Sequence, residues 1–263
     1  MSETQVRWRI GTLIGLAACG VAGCAEPKSN GAPADDTLTV EGILERAEKA
    51  YTELYSLEAS GTLRDYRGGQ KRVQPIRWEL LRPDLCRVQI GMNLVLVKGQ
   101  NWWSFDEKSG RFKSHREQGP TPIETATYFL SDGIPLMTPV AWNRPKVAFG
   151  PNELRSSWVL QGVAWTAGRP SYIVSRDGRG RDGGSRWTLW IDQDRFLILA
   201  WTWATLAGGP DGKSREEIVW GATYEALVTD RAISPDRFRI ERPEPIVLPR
   251  PAAADQNTQG MNS

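Results

Sequence analysis

Alternation of apolar and polar residues is the feature that most limits how this chain can fold. Over residues 57–64 and 76–81, apolar side chains occupy every second position. The same period recurs from Ile218 to Ala226, and turns such as RGGQ, DEKSG and GGPDGK separate the segments. A period of two interrupted by turns is typical of antiparallel strands with one buried face. The chain is therefore predicted to be mainly β.

Two segments break the strand pattern and predict helices that cover the sheet. In VEGILERAEKAYTELYSL, apolar residues recur at helical spacing after Thr39, a suitable N-cap. The sequence TPIE at 121–124 combines a capping box with a proline at the first helical position, and this helix is expected to end near Gly133. We expect the helix over 41–56 and the insert over 121–142 to lie on the apolar face of the sheet.

The N-terminus carries the features of a bacterial lipoprotein signal. Two arginines precede an apolar run over residues 10–23 that is shorter than the roughly 20 residues a membrane-spanning helix needs. The run ends in VAGC, which resembles the lipobox and implies that Cys24 becomes the lipidated first residue. Residues 1–23 are then the signal peptide and 24–38 a flexible tether; the alternative is an ordinary signal peptide with an incidental cysteine.

Composition argues against several classes of function. The 33 basic and 31 acidic residues nearly balance, so no electrostatic footprint for nucleic acid is present. His115 is the single histidine, and Cys86 is the one cysteine outside the N-terminal segment. The chain therefore lacks the ligands of a His- or Cys-rich metal site, and a Ser-His-Asp triad is possible only with His115 as the base. We expect no enzyme activity, cofactor or metal.

Four segments in order resemble the LolA/LolB superfamily of outer-membrane lipoprotein carriers and receptors. They are the opening helix leading into SLEAS at 56–60, WELLRPDL at 78–85, LVKGQNWWSFD at 96–106, and ISPDRFRI at 233–240 followed by Pro243, which resembles the family's final strand. Together they span residues 40–245. Lys98 stands where the family hairpin has an aspartate.

The resemblance implies an α+β fold that is mainly β. A curved antiparallel sheet forms an incomplete barrel over residues 39–243, and the N-terminal helix and the mid-chain insert cover its concave face. Residues 244–263 lack apolar periodicity and are expected to be a disordered tail. In the family the concave face holds acyl chains, and a lid closes over them.

The same resemblance implies a binding site. Candidate acyl-chain-binding residues are Trp78, Leu80, Leu94, Leu96, Trp103, Phe129, Met137, Trp187, Leu189, Trp201, Trp203 and Trp220. A shift of one residue in the assignment of faces would exchange them for their neighbours. They could equally fill a dry core. Arg82 matches the arginine that bonds lid carbonyls in the soluble carriers; the alternative is a surface arginine before a proline.

The expected function is binding of lipid or lipoprotein acyl chains by a monomer anchored to the cell envelope and facing the periplasm, with the outer membrane favoured over the inner. An envelope-stress sensor or protein-interaction lipoprotein of the same fold, as in the RseB/MucB regulators, is the alternative. Those regulators carry a further C-terminal domain, for which few residues remain after the last predicted strand. A hydrolase with an unrecognised carboxylate site is the least favoured hypothesis.

Overall fold

The computed structural model describes residues 38–67, 71–107, 109–116, 123, 126, 137–149, 157–180, 183–208, 214–246 and 248. All of these residues belong to one compact unit. Within the described residues, no helix combines the length and the apolar character needed to span a membrane. The predicted signal peptide, the lipobox, Phe129 and most of the predicted tail lie outside these residues.

Helix α1, Val40–Glu53, begins where the sequence predicts and ends slightly earlier than predicted. Thr39 is the N-cap, and its hydroxyl accepts a hydrogen bond from the Gly42 amide at 3.2 Å. One side of the helix is apolar and buried, with Ile43, Leu44, Ala47 and Tyr51 fully shielded from solvent. The helix stops before Leu54, whose extended backbone leads the chain into the first strand.

Eleven antiparallel strands of the described chain make a single sheet, which confirms the predicted mainly-β architecture. They are β1 Ser56–Asp65, β2 Arg72–Leu81, β3 Leu85–Ile90, β4 Asn93–Lys98, β5 Asn101–Asp106, β6 Arg111–Arg116, β7 Trp158–Thr166, β8 Arg169–Gly180, β9 Gly183–Asp192, β10 Ile198–Gly208 and β11 Ser214–Thr229. Their order across the sheet is β6-β5-β4-β3-β2-β1-β11-β10-β9-β8-β7. The sheet does not close into a barrel, because β6 and β7 remain its two edges.

One long-range pairing joins the two halves of the sheet. Strands β1–β6 follow one another as hairpins, strands β7–β11 do the same, and β1 pairs with β11 from Leu57↔Thr229 to Asp65↔Trp220. The register shifts between Ser60 and Gly61, where β11 carries an extra residue. A Cβ on Gly61 would lie 2.0 Å from the Thr223 carbonyl oxygen, so only glycine fits this approach.

Short helices of the mid-chain insert cover part of the sheet. Ile123 and Ala126 are helical and buried, as the capping box predicts. Two further helices follow, α2 Met137–Asn143, after the expected helix end near Gly133, and α3 Pro145–Phe149, beyond the predicted insert. Met137 and Phe149 are buried against the sheet residues and α1, so the helical cover extends beyond residue 142.

The predicted final strand is wrong. Residues Pro235–Phe238 form a 3-10 helix, and Ser234 caps it by accepting a hydrogen bond from the Asp236 amide. The proline at the start of this turn has no amide to donate to a strand partner, and the serine cap stabilises the turn. The family-like sequence at this point therefore forms a turn in this chain.

The segment after the 3-10 helix is held by polar side chains of β3. Arg87 donates to the Arg237 carbonyl oxygen at 2.9 Å, and Gln89 donates to the Glu244 carbonyl oxygen at 2.6 Å. Glu79 of β2, almost completely buried, pairs with Arg77 and with Arg237. These contacts hold the segment at Arg237 and at Glu244 against one face of β2 and β3.

Candidate functional site

The sheet has an inner face, defined here as the face that packs on α1. Side chains on one face alternate along a strand, and residues directly opposite each other on paired strands share a face. The inner face includes Leu57, Leu63, Ile76, Trp78, Leu80, Val88, Val95, Val97, Trp102, Val174, Leu189, Ile191, Trp201, Ala222 and Tyr224, which form one buried cluster with α1, α2 and α3. We call the opposite face the outer face.

Most of the predicted binding residues share the inner face. Trp78, Leu80, Met137, Leu189, Trp201 and Trp220 belong to the buried cluster, and Trp187 packs against it. Trp203 lies opposite both Trp187 and Trp220 and so points to the same side. The structure therefore brings these residues together around the apolar interior of the sheet.

Leu94, Leu96 and Trp103 lie elsewhere. They form a second cluster with Phe105 and Phe112 on the outer face of β4–β6. Their neighbours Val95, Val97 and Trp102 occupy the inner face instead. Strand β4 is apolar on both sides, so its alternation carried no signal about which side faces inward.

A row of tryptophans crosses the inner face from β7 to β11. The cross-strand pairs Trp158↔Arg176, Arg176↔Trp187, Trp187↔Trp203 and Trp203↔Trp220 place four tryptophans and one arginine side by side on five adjacent strands. We call Trp158, Arg176, Trp187, Trp203 and Trp220 the tryptophan row. With strands about 4.8 Å apart, the row is about 19 Å long.

The tryptophan row lies between an apolar level and a polar level of the inner face. On the side towards α1, the next level contains Leu160, Val174, Leu189, Trp201 and Ala222. On the other side it contains Gly178, Ser185, Thr205 and Glu217. Tryptophan suits such a boundary, because its ring is apolar and its N–H group is a hydrogen-bond donor.

Two arginines stack on the ends of the row. The guanidinium of Arg67 lies 4.6 Å from the ring centroid of Trp220, and that of Arg176 lies 5.0 Å from the ring centroid of Trp158. Arg67 also pairs with Asp65, whose pKa is lowered by Arg67 although burial opposes this shift. Burial lowers the pKa of Arg176, because water no longer fully solvates its charge.

Polar groups inside the apolar cluster are only partly matched. The hydroxyl of Tyr224 accepts hydrogen bonds from Thr138 at 2.8 Å and from the Trp201 indole at 3.2 Å, and burial raises the pKa of Tyr224. The indole N–H groups of Trp158 and Trp220 are buried and have no hydrogen-bond partner among the described residues. An unmatched buried donor costs about 1–3 kcal/mol, so these donors favour a bound acceptor.

The apolar inner face continues beyond its helical cover at β7. Leu160, Val163 and Trp165 carry inner-face positions on this edge strand and are 40%, 65% and 78% exposed. Their cross-strand neighbour Tyr172 packs against the buried cluster. A solvent-accessible apolar strip is thus continuous with the interior.

Arg82 connects β2 to the end of α1. Its Nε donates to the Leu54 carbonyl oxygen at 3.1 Å, and its Nη2 donates to the Tyr51 carbonyl oxygen at 2.9 Å. Its backbone amide also donates to the Tyr55 carbonyl oxygen at 3.0 Å. Arg82 therefore bonds backbone carbonyls of a covering helix, and these belong to α1. A lid-gating role stays a prediction.

His115 lies at the inner side of β6 in contact with β5. Its ring stacks on Trp102 with centroids 3.8 Å apart, and its Nε2 is 3.1 Å from the Ser104 hydroxyl. Burial, and secondarily the charge of Lys113, lower the pKa of His115, which favours the neutral ring. Among the described residues, no cluster of His, Cys, Asp or Glu side chains could hold a metal ion.

Comparison with known proteins gives structural neighbours only. No protein-family model and no curated protein matches the chain. A chain from a Pseudomonas aeruginosa MucA/MucB complex aligns with 16% identity and a TM-score of 0.45, over 80% of this chain and 64% of that chain. This chain thus spans less than two thirds of that chain's length.

Two further similar structures come from other bacteria. A LolA superfamily protein from Nitrosomonas europaea aligns with 14% identity and a TM-score of 0.32, over 76% of this chain and 97% of that chain. The Mycobacterium tuberculosis lipoprotein LppX aligns with 10% identity and a TM-score of 0.39, over 73% of this chain and 93% of that chain. LolA superfamily proteins are thus among the solved structures to which this chain is similar. The predicted lipobox lies outside the described residues.

Sequence reasoning did not find Arg176 or the tryptophan row. The sequence DGRGRDGG at 177–184 places glycines beside arginines, as in an anion cradle, but no strand-to-helix transition follows it, so the pattern favours a hairpin tip. The informative signal is instead the spacing of Trp158, Trp187, Trp203 and Trp220 on separate strands. Aligning them requires the register of all four strand pairs, which the sequence does not supply.

Proposed function

We propose that this chain is a lipid-anchored envelope protein that binds acyl chains of lipids or lipoproteins along the inner face of its sheet. The observation that carries the proposal is the solvent-exposed apolar strip of β7, Leu160, Val163 and Trp165, which is continuous with the buried interior. A contiguous exposed apolar strip on a folded domain indicates a site that an apolar ligand or partner contacts.

The energetics favour an enclosed site for hydrocarbon. Exposing an acyl chain of about sixteen carbons to water costs roughly 12 kcal/mol of free energy, at about 0.8 kcal/mol for each methylene. The inner face is buried along most of its width, from Trp78 on β2 to Trp201 on β10. We therefore propose that an acyl chain enters at β7, where Val163 and Trp165 leave the edge of the inner face exposed.

The proposal is tested by a pair of valines on the same strand. Val163 faces inward and is 65% exposed, and Val159 faces outward and is 55% exposed. Val163→Asp puts a charge on the entry strip and is expected to weaken binding of cis-parinaric acid, a fluorescent fatty acid, by about tenfold. Fluorescence titration of purified protein measures the change.

Val159→Asp is the matched control, because it adds the same charge to the same strand on the outer face. It should bind the probe as the wild type does. Equal binding by both variants and the wild type, or no binding by the wild type, would reject the inner-face site. Native mass spectrometry of protein purified without detergent adds a second readout, since we expect co-purified lipid.

The location and oligomeric state belong to the same proposal. Lipidation at Cys24 would anchor the chain, with the periplasmic side of the outer membrane favoured, and the domain would act as a monomer without catalysis or cofactor. A protein-interaction role is the second candidate, because β7 pairs only with β8 among the described strands and so presents a free edge. A co-purified polypeptide in place of lipid would favour that candidate.

A further inference from the structure

Arg176 is a half-buried cation on an apolar surface. It lies between Trp158 and Trp187 in the tryptophan row, and Val174, two residues before it on the same face, is fully buried. No carboxylate pairs with it among the residues that the structure describes, and its one ring contact is the face of Trp158. The other cation of this region, Arg67, is neutralised by Asp65.

The carboxylate nearest to Arg176 in sequence is engaged on the other side of the sheet. Asp177 follows Arg176 directly, so its side chain points to the outer face. There it bonds the Arg186 guanidinium through both oxygens, at 2.7 and 3.0 Å. Glu216 also pairs with Arg186 on that face, at 2.9 Å. Arg186 lies on the adjacent strand, and its charge is neutralised by these two carboxylates, unlike that of Arg176.

A charge placed against apolar groups without a partner is unfavourable, and natural proteins pair such charges. Trp158 adds a second unsatisfied group beside Arg176, since its buried indole N–H has no partner among the described residues. A guanidinium and an indole N–H are both donors, and together they match an acceptor that carries negative charge. The row lies between an apolar and a polar level of the inner face, which matches a ligand with hydrocarbon on one side and a polar head on the other.

We propose that Arg176 and the Trp158 indole N–H bind the anionic head of an acyl ligand, a carboxylate or a phosphate, while its hydrocarbon lies against the adjacent apolar level of the inner face. This inference rests on the proposed acyl-chain site and names the class of ligand that the site takes. In this level Leu160 is 40% exposed and open to hydrocarbon, whereas Val174 and Leu189 are fully buried by the protein's own side chains. The row thus separates the head from the tail.

Three probes with the same tail test the inference. Dodecanoate and dodecyl phosphate carry the two candidate anions, and dodecanol carries neither. Each is titrated calorimetrically into the full-length protein after removal of co-purified lipid. We expect the better anion to bind about tenfold or more tightly than dodecanol, the size typical of a hydrogen bond to a charged group.

Arg176→Gln should abolish this preference by lowering the affinity for the anionic probe to that for dodecanol. Arg176→Lys should retain part of it, because the charge remains while the planar fork is lost. Arg186→Gln is the matched control on the adjacent strand and the outer face, and it should keep the wild-type preference. Circular dichroism confirms that each variant is folded.

The outcomes separate this inference from the function on which it rests. If all three probes bind the wild type equally, the acyl site stands and the anionic head group is refuted. If Arg176→Gln keeps the anion preference, another group binds the head and the assignment fails. If no probe binds the wild type, both proposals fail. A stronger response to dodecanoate indicates a free fatty acid, and a stronger response to dodecyl phosphate indicates a phospholipid.

Discussion

Arg82 is the residue whose contacts are most directly open to test. Its guanidinium donates to two backbone carbonyls at the end of α1, where helical carbonyls lack intrahelical partners. Arg82→Leu is expected to destabilise the protein by about 1–3 kcal/mol, because the carbonyls of Tyr51 and Leu54 lose charged donors. Urea unfolding measures the change.

Arg239→Leu serves as the control for this prediction. Arg239 pairs with Asp236 on the surface and is largely exposed, so its loss should change stability by less than about 0.5 kcal/mol. Equal stability of the Arg82 and Arg239 variants would show that the bonds to α1 contribute nothing to the fold.

The resemblance to the LolA/LolB superfamily implied that Arg82 bonds carbonyls of a lid. The structure shows Arg82 donating to carbonyls at the end of α1, and a gating role stays a prediction. Which carbonyls it reaches depends on how α1 ends against β2, a contact between segments that no local pattern encodes. The lipobox that predicts lipidation of Cys24 is by contrast a local pattern, and it stays a prediction because residues 1–37 lie outside the described part of the chain.

At the scale of elements, the crossing of β1 and β11 depends on Gly61. A Cβ there would lie 2.0 Å from the Thr223 carbonyl oxygen and 2.7 Å from the Tyr224 Cα, both backbone atoms. Gly61→Ala should therefore force the two strands apart and cost about 1–3 kcal/mol or more. The midpoint of thermal unfolding, followed by circular dichroism, measures this loss.

Gly42→Ala, made in the wild-type protein, is expected to have the opposite effect on stability from Gly61→Ala. Gly42 lies in the first turn of α1, and an added Cβ would have ordinary contacts, the nearest at 3.5 Å. Alanine should stabilise this helix by about 0.5–1 kcal/mol. Stabilisation at both positions would mean that the bulge at Gly61 adapts to a side chain.

Elements with one clear period were predicted well, and elements with conflicting signals were not. Thr39 and the apolar stripe identify α1, and alternation identifies β1 and β2. In β11 the predicted alternation holds only from Trp220 to Tyr224, because register shifts put Ile218 and Ala226 on the outer face. Strand β4 is apolar on both faces, so the sequence could not say that Leu94 and Leu96 face outward. At Pro235–Phe238, a proline and a serine cap override a pattern that resembles a strand.

At the scale of the whole molecule, the candidate site exists only because five strands align. The tryptophan row combines residues from Trp158 to Trp220, and each pairing sets the position of the next. The sequence predicts that these tryptophans lie on strands, and the pairing register decides that they meet. The division into an apolar and a polar level follows from the same register.

Membrane anchorage is a property of the whole chain, and its test uses the two N-terminal cysteines, Cys19 and Cys24. If VAGC is a lipobox, as predicted, Cys24 carries the lipid and Cys19 is removed with the signal peptide. Cys24→Ala should shift the protein from the membrane pellet to the soluble fraction, because each lost methylene removes about 0.8 kcal/mol of membrane affinity.

Cys19→Ala is the internal control, and it should leave the protein in the pellet with its lipid attached. Mass spectrometry of the mature N-terminus distinguishes lipidation from an uncleaved hydrophobic leader, because lipidation adds acyl mass to a chain that begins at Cys24. Recovery of Cys24→Ala in the pellet would refute lipid anchorage, and the inner-face site would then have to serve a protein held at the membrane in another way.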